Sequence, residues 1–195
     1  MRKEKLDIYN VNDAMAIVEG CVKNDREYQQ ILYKQTFTKM LGTCLRYSSD
    51  YEEAMDYVQE GYIKVFDKIA SYQPTGSLVA WIKRIIVNNL IDSLRKKSKF
   101  QYSDMDEMQI EDDNDSSEEL ERIAAKEQNA SRIVELLQEL SPVYRTVFNM
   151  YVVEELSHTE IAERLGISVG TSKSNLAKAK MRLKQMFIDK YGEDE

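Results

Sequence analysis

The chain has 195 residues, of which 43% are hydrophobic, with two prolines, seven glycines and a formal net charge of −7. That length admits one or two domains, and few Pro and Gly beside frequent Lys, Glu, Leu, Met and Ala exclude a turn-rich sheet protein and point to an all-α chain. The charge does not exclude a nucleic-acid partner, because it is uneven: residues 104–121 hold ten Asp or Glu and no Lys or Arg, and without them 24 acidic residues stand against 27 basic ones.

The opening Met-Arg-Lys-Glu-Lys-Leu-Asp has no apolar core behind it, so no signal peptide is expected. No apolar run approaches the length of a membrane span, and a cytoplasmic location is expected. Cys21 and Cys44 lie in helical patterns without metal-ligand spacing and are expected as free thiols. A short amphipathic helix is predicted over 12–23 and a longer one over 25–47, with Ile31, Leu32, Phe37, Met40, Leu41, Cys44 and Leu45 inward. Ser48-Ser49-Asp50 breaks that helix, and Ser49 or Asp50 can cap the next.

The helix predicted over 51–69 buries Ala54, Val58, Tyr62, Val65, Phe66 and Ile69. Its other face carries Asp56, Gln59, Glu60, Ile63 and Asp67. A solvated face is the simplest explanation, but an exposed isoleucine ringed by acids and an amide also suits a partner surface. Ser71-Tyr72-Gln73-Pro74-Thr75-Gly76-Ser77 then interrupts the helices.

Residues 81–97 form the next helix. At about 100° per residue, Ile82, Ile86, Val87, Leu90, Ile91 and Leu94 fill one arc. Trp81, Arg84, Asn88, Asp92 and Arg95 stack on the opposite side. An aromatic, an amide and two guanidiniums on one face suit nucleic acid, although a half-buried helix with a solvated side has the same pattern. Residues 83–99 hold six Lys or Arg and one Asp. Residues 98–126, rich in Asp, Glu and Ser, cannot bury a core and are expected to be a flexible acidic linker.

Beyond the linker, Ile133, Val134, Leu136, Leu137 and Leu140 share a face, and Ser141-Pro142 restarts a helix with serine as cap. Val143, Val147, Met150 and Tyr151 are expected to point inward. Ser157 and Glu160 form a capping box for a short helix with Ile161, Ala162 and Leu165 inward. Gly166 allows a sharp turn, and Ser168 caps a longer basic helix. Its buried stripe is predicted as Leu176, Ala179, Leu183 and Met186, and its outer face as Lys173, Ser174, Ala177, Lys178 and Met181. Short helix, glycine turn and longer basic helix make a helix-turn-helix. His158, the single histidine, stands beside a cap and reads as structural. No catalytic set, metal cluster or phosphate loop is apparent, so neither an enzyme nor a cofactor is expected.

Two stretches resemble a known family. Residues 56–66 followed by 76–95 resemble the second conserved region of bacterial RNA polymerase sigma factors, and residues 159–174 resemble their fourth. An acidic linker between the two, with no room for a third-region domain, resembles the extracytoplasmic-function (ECF) group of the sigma-70 family. The resemblance implies two small helical domains: a region 2 domain over 1–97 and a region 4 helix-turn-helix domain over 127–195, joined by linker 98–126.

It also implies a promoter-specificity subunit that docks on the clamp coiled coil of the polymerase largest subunit through Asp56, Gln59, Glu60 and Ile63. The minus-ten element would be met by Asn88, with Arg84, Arg95 and Lys96 for phosphate and Tyr72 as wall of a flipped-base pocket. The minus-thirty-five element would be met by Thr171, Lys173, Ser174, Ala177 and Lys178. An anti-sigma partner is implied too, and the acidic linker would thread toward the active-site cleft. The chain departs from the family where Asn175 and Ala177 replace a common arginine and bulky residue, Ser172 a common valine, and Lys178 an arginine. Trp81 belongs to packing in that family. A stand-alone helix-turn-helix regulator is the alternative that the residues leave open.

Overall fold

A computed structural model of the chain describes residues 6–98 and 130–192. Most of the predicted linker, from 99 onward, lies outside the described residues. Those described are helical: α1 (Val11–Val22), α2 (Arg26–Leu45), α3 (Tyr51–Lys68), a 3-10 turn (Ile69–Ser71), α4 (Leu78–Ser98), α5 (Ala130–Glu139), α6 (Pro142–Phe148), a π turn (Asn149–Val153), α7 (His158–Leu165) and α8 (Val169–Tyr191). They divide into two compact units. One holds residues up to Cys44 with Tyr51–Leu90; the other holds Leu45–Asp50 with residues from Ile91 onward.

In the first unit, Asn10 caps α1, its side chain accepting from the amides of Asn12 and Asp13. The segment before α1 is tied to α2 by a single amide. Gln35 Nε2 donates to the Leu6 carbonyl at 2.6 Å, and its Oε1 accepts from the Ile8 amide at 2.8 Å. The apolar pattern of α2 is less regular than its sequence suggests. Ile31, Phe37 and Leu41 are half-buried, whereas Thr36 and Thr43 are fully inside. Each threonine returns its hydroxyl to the carbonyl four residues back, Leu32 or Lys39, which lets a polar residue enter a helix–helix contact without an unpaired group. Thr36 Oγ1 also meets the Tyr62 hydroxyl of α3 at 2.6 Å. Burial pushes the Tyr62 phenol up to about 12, so it stays protonated and able to bridge.

The arc of α4 is buried as its spacing requires: Ile82, Ile86, Val87, Leu90, Ile91 and Leu94 are all at most 7% exposed. Gly61 of α3 permits the close approach of α4. A Cβ there would stand 2.8 Å from Ile86 Cγ1, closer than packed carbons tolerate.

In the second unit, α5, α6 and α7 all pack on α8. Arg145 of α6 is 2% exposed. Its Nε donates to the Leu137 carbonyl at 2.7 Å, and its Nη2 to those of Gln138 and Leu140 at 2.8 Å. These carbonyls end α5, where no further turn exists to receive them. The guanidinium thus serves as a buried C-cap and matches the negative end of the helix dipole. Pro142 takes the first position of α6 as predicted, but the Ser141 side chain makes no capping bond. Tyr151, predicted inward, is 38% exposed, because it lies within the π turn, where the widened backbone rotates it off the core stripe. On α8, Phe187 replaces Met186 as the last core residue. The 3.6-residue period brings 172, 176, 179, 183 and 187 to one side, and Ser172 joins that buried row.

Gly61→Ala should lower stability by about 1–3 kcal/mol through overpacking against Ile86. Gly42→Ala, whose new Cβ meets nothing within 4 Å, should instead raise it by about 0.5–1 kcal/mol. Thermal melts of the two variants, followed by far-UV circular dichroism, should move in opposite directions.

Candidate nucleic-acid interface

Three exposed faces carry the residues singled out in the sequence. The first is on α3. Asp56, Gln59 and Glu60 are exposed, and Ile63 stands among them at 60% exposure while Val58, Tyr62 and Val65 face inward. An isoleucine held outward on a rigid helix by its own buried neighbours is a fixed apolar knob in an acidic and amide surround.

The second face is α4 with the loop before it. Arg84, Asn88 and Lys96 are exposed and Arg95 is half-exposed. Arg95 Nη2 lies 3.3 Å from Asp92 Oδ1, one turn back, so two members of the predicted stripe engage each other. In the loop, the Ser71 hydroxyl donates to the Lys68 carbonyl at 2.7 Å and closes the 3-10 turn. The Tyr72 hydroxyl donates to the Gly76 carbonyl at 2.7 Å. Its ring meets Trp81 edge to face, with centroids 5.6 Å apart. Trp81 is half-buried in this role, so the stripe narrows to Arg84, Asn88 and Arg95, with the tryptophan bracing the loop. Tyr72 and Trp81 thereby shape the loop around a ring pair, a fixed geometry that the sequence pattern did not announce.

The third face is the helix-turn-helix. Ser157 caps α7 as predicted: its Oγ accepts from the Glu160 amide at 3.3 Å, while the Ser157 amide and hydroxyl donate to Glu160 Oε2 at 2.9 and 2.7 Å. These bonds hold the Glu160 carboxyl below its ordinary pKa. Gly166 ends α7 with φ +71°, a left-handed conformation that suits glycine. Its amide and that of Ile167 both donate to the Ala162 carbonyl. Ser168 then starts α8, its Oγ accepting from the Thr171 amide at 2.9 Å and lying 2.8 Å from Thr171 Oγ1. Along the outer side of α8, Thr171 and Lys173 are exposed, and Ser174, Ala177 and Lys178 are half-exposed. Ser172 lies between these residues in sequence but on the opposite side in space. Its hydroxyl shares a 2.9 Å hydrogen bond with His158 Nδ1.

Among the described residues no group of His, Cys, Asp and Glu is arranged to hold a metal ion, and no helix is long and apolar enough to cross a membrane. Cys21 and Cys44 are buried and unbridged. Burial, with the nearby Asp25 carboxylate, lifts the Cys21 thiol to about 11, so it is not a nucleophile at neutral pH.

Two exposed basic helices, one preceded by an aromatic loop and one belonging to a helix-turn-helix, describe a DNA-binding protein. Comparison with known proteins makes the class specific. Residues 32–100 match sigma-70 region 2, and residues 130–183 match sigma-70 region 4, so that the two together take in more than half of the chain. The ECF RNA polymerase sigma factor SigE of Mycolicibacterium smegmatis is 27% identical over 157 residues, 78% of this chain and 59% of that relative. SigW of Bacillus subtilis is 29% identical over 77% of this chain and 84% of its own length. SigV of the same organism is 29% identical over 83% of this chain and 97% of its own length. The chain belongs to the sigma-70 family of RNA polymerase sigma factors, in its extracytoplasmic-function group. The pairing of region 2 with region 4 sets aside the stand-alone regulator.

The depressed pKa of Glu160 fixes the sign of a pH effect. A carboxylate whose folded pKa is lowered contributes stability above its unfolded pKa and loses it as pH falls through the folded one. Glu160→Gln should therefore melt at a lower temperature than the parent at neutral pH. The gap should close below the carboxylate range, as measured by calorimetry across a pH series.

Proposed function

We propose that this chain directs core RNA polymerase to promoters through three surfaces with distinct tasks. The observation that carries the reading is the two-sidedness of α4: Asn88 is exposed midway along a helix whose opposite arc is sealed. A side-chain amide held in this way offers a donor and an acceptor to the edge of one base.

Asn88 reads an unpaired base of the minus-ten strand, and Arg84, Arg95 and Lys96 hold its phosphates. Tyr72 forms the wall on which a flipped base stacks, offsetting part of the cost of unstacking it. Support for this comes from the ring pair of Tyr72 and Trp81 and from the loop-closing bond to Gly76. Thr171, Lys173, Ser174, Ala177 and Lys178 meet the minus-thirty-five duplex. Lys173 and Lys178 contribute phosphate contacts as point charges rather than the bidentate grip on guanine that arginine would give.

Asp56, Gln59, Glu60 and Ile63 dock on the clamp coiled coil of the polymerase largest subunit. Ile63 is the apolar anchor and the three polar groups are its rim, the arrangement in which a few central residues hold most of an interface. The chain supplies no chemistry of its own, and the polymerase makes the phosphodiester bonds. An anti-sigma factor that covers either DNA-binding face would hold the protein inactive.

Separate variants distinguish these surfaces. Asn88→Ala should reduce open-complex formation by about tenfold in permanganate footprinting, with core affinity unchanged. Ile63→Ala, and Gln59→Ala with Glu60→Ala, should weaken core binding by about tenfold in a fluorescence titration. A loss of core affinity in Asn88→Ala, or its retention in both α3 variants, would refute the corresponding assignment.

A further inference from the structure

We infer that His158 is a positioning residue for α8: through Ser172 and Tyr151 it fixes how the helix presents its outer side to the upstream promoter duplex. This rests on the proposed role of α8 in binding that duplex. Ser172 belongs to the first turn of α8 and is 0% exposed, a hydroxyl in a row otherwise filled by Leu176, Ala179, Leu183 and Phe187. A buried hydroxyl requires a partner, and His158 Nδ1 provides one at 2.9 Å. The histidine is itself held from a third direction. Its ring stacks on Tyr151 of the π turn, with centroids 4.6 Å apart and planes 25° from parallel. Lys180 of α8 places its ammonium 6.0 Å from the centre of that tyrosine ring.

One imidazole thus joins three pieces of chain: the π turn, the start of α7 and the first turn of α8. The direction of the Ser172 bond matters because Thr171 and Lys173 flank it in sequence. An aliphatic side chain at 172 would seat α8 by shape alone, and packing contacts are non-directional. A hydrogen bond from a fixed ring tolerates much less rotation, so the bond sets the roll of α8 about its axis. The outward aim of Thr171, Lys173 and Ser174 follows from that roll. The His158–Ser172 pair therefore bears on the discrimination between promoter and other DNA, while touching neither.

The test uses the full chain assembled with core polymerase. The probe is a labelled duplex that carries the upstream element of a promoter mapped by in vitro transcription of genomic fragments. Anisotropy titrations give its affinity and that of a scrambled duplex of equal length. His158→Ala and Ser172→Ala should each reduce the ratio of the two affinities by up to about tenfold, leaving core binding unchanged. Replacing both partners with apolar groups, H158F with S172V, leaves no polar group unpaired and keeps an aromatic ring on Tyr151. This double variant should recover most of the ratio.

A ratio unchanged in folded Ser172→Ala would overturn the inference, as would a double variant no better than His158→Ala. If His158→Ala does not fold, Ser172→Ala becomes the reference, and a double variant no better than Ser172→Ala overturns the inference. Lys173→Ala with Lys178→Ala serves as control. If the control binds the promoter duplex as tightly as the parent, the reading of α8 itself fails. If only the control loses affinity, that reading stands and the positioning role of His158 is refuted.

Discussion

The direction of every exposed group on α4 is set by six aliphatic side chains on its other side. Ile82, Ile86, Val87, Leu90, Ile91 and Leu94 are all buried, and each contributes roughly 1.5–3 kcal/mol relative to exposure. Turning the helix by one residue, about 100°, would bring several of them into water and drive charged or amide groups inward. No plausible gain at the surface offsets that. Gly61 strengthens the constraint, because its missing side chain lets Ile86 press against the α3 backbone. The exposure of Asn88 is thus a product of core packing, and so is the outward aim of Ile63 on α3.

The second unit is ordered differently. Its defining contacts include polar groups taken inside and hydrogen-bonded there. Arg145 closes the carbonyl end of α5, Thr146 returns its hydroxyl to the Pro142 carbonyl, and Ser172 meets His158. The bonds of Arg145 and Ser172 join different elements and are directional, so they specify angles between neighbours that apolar packing leaves softer, whereas the bond of Thr146 stays within α6. A small helix-turn-helix has little core to spend on specificity of arrangement. Buried hydrogen bonds supply it.

This contrast explains what could be read from the sequence. The α4 arc, the Ser157–Glu160 box, the Ser168 cap and the Gly166 turn are local patterns, written within a few residues, and all are present in the fold. Pattern reading failed where the deciding feature lies outside a side-chain period: in a neighbouring element or in the backbone itself. Arg145 sits in an apolar stretch and would ordinarily be assigned to solvent; only the nearby end of α5 makes its burial favourable. Thr36 is inside because Tyr62 of another helix meets it. Tyr151 turned outward because one stretch of backbone widened into a π turn, which no side-chain period reveals. The same division holds for the candidate surfaces. That Asn88, Ile63 and Lys173 are exposed was legible from periodicity, and their proposed partners came from motif resemblance. The pairing of Tyr72 with Trp81 and of His158 with Ser172 required the folded chain.

The ion pair between Asp92 and Arg95 has a thermodynamic consequence. A basic residue that meets DNA ordinarily displaces condensed cations from the phosphates, and the released ions make binding fall with salt. Arg95 carries its own counter-charge one turn away on the same helix. If a phosphate takes the guanidinium, as proposed, the Asp92 carboxylate is left beside the strand, and its repulsion offsets part of the attraction that Arg95 supplies. Contact at Arg95 would then add less to the salt dependence of strand capture than its charge alone implies, and α4 would hold single-stranded DNA over a wider range of ionic strength than a count of its basic residues suggests.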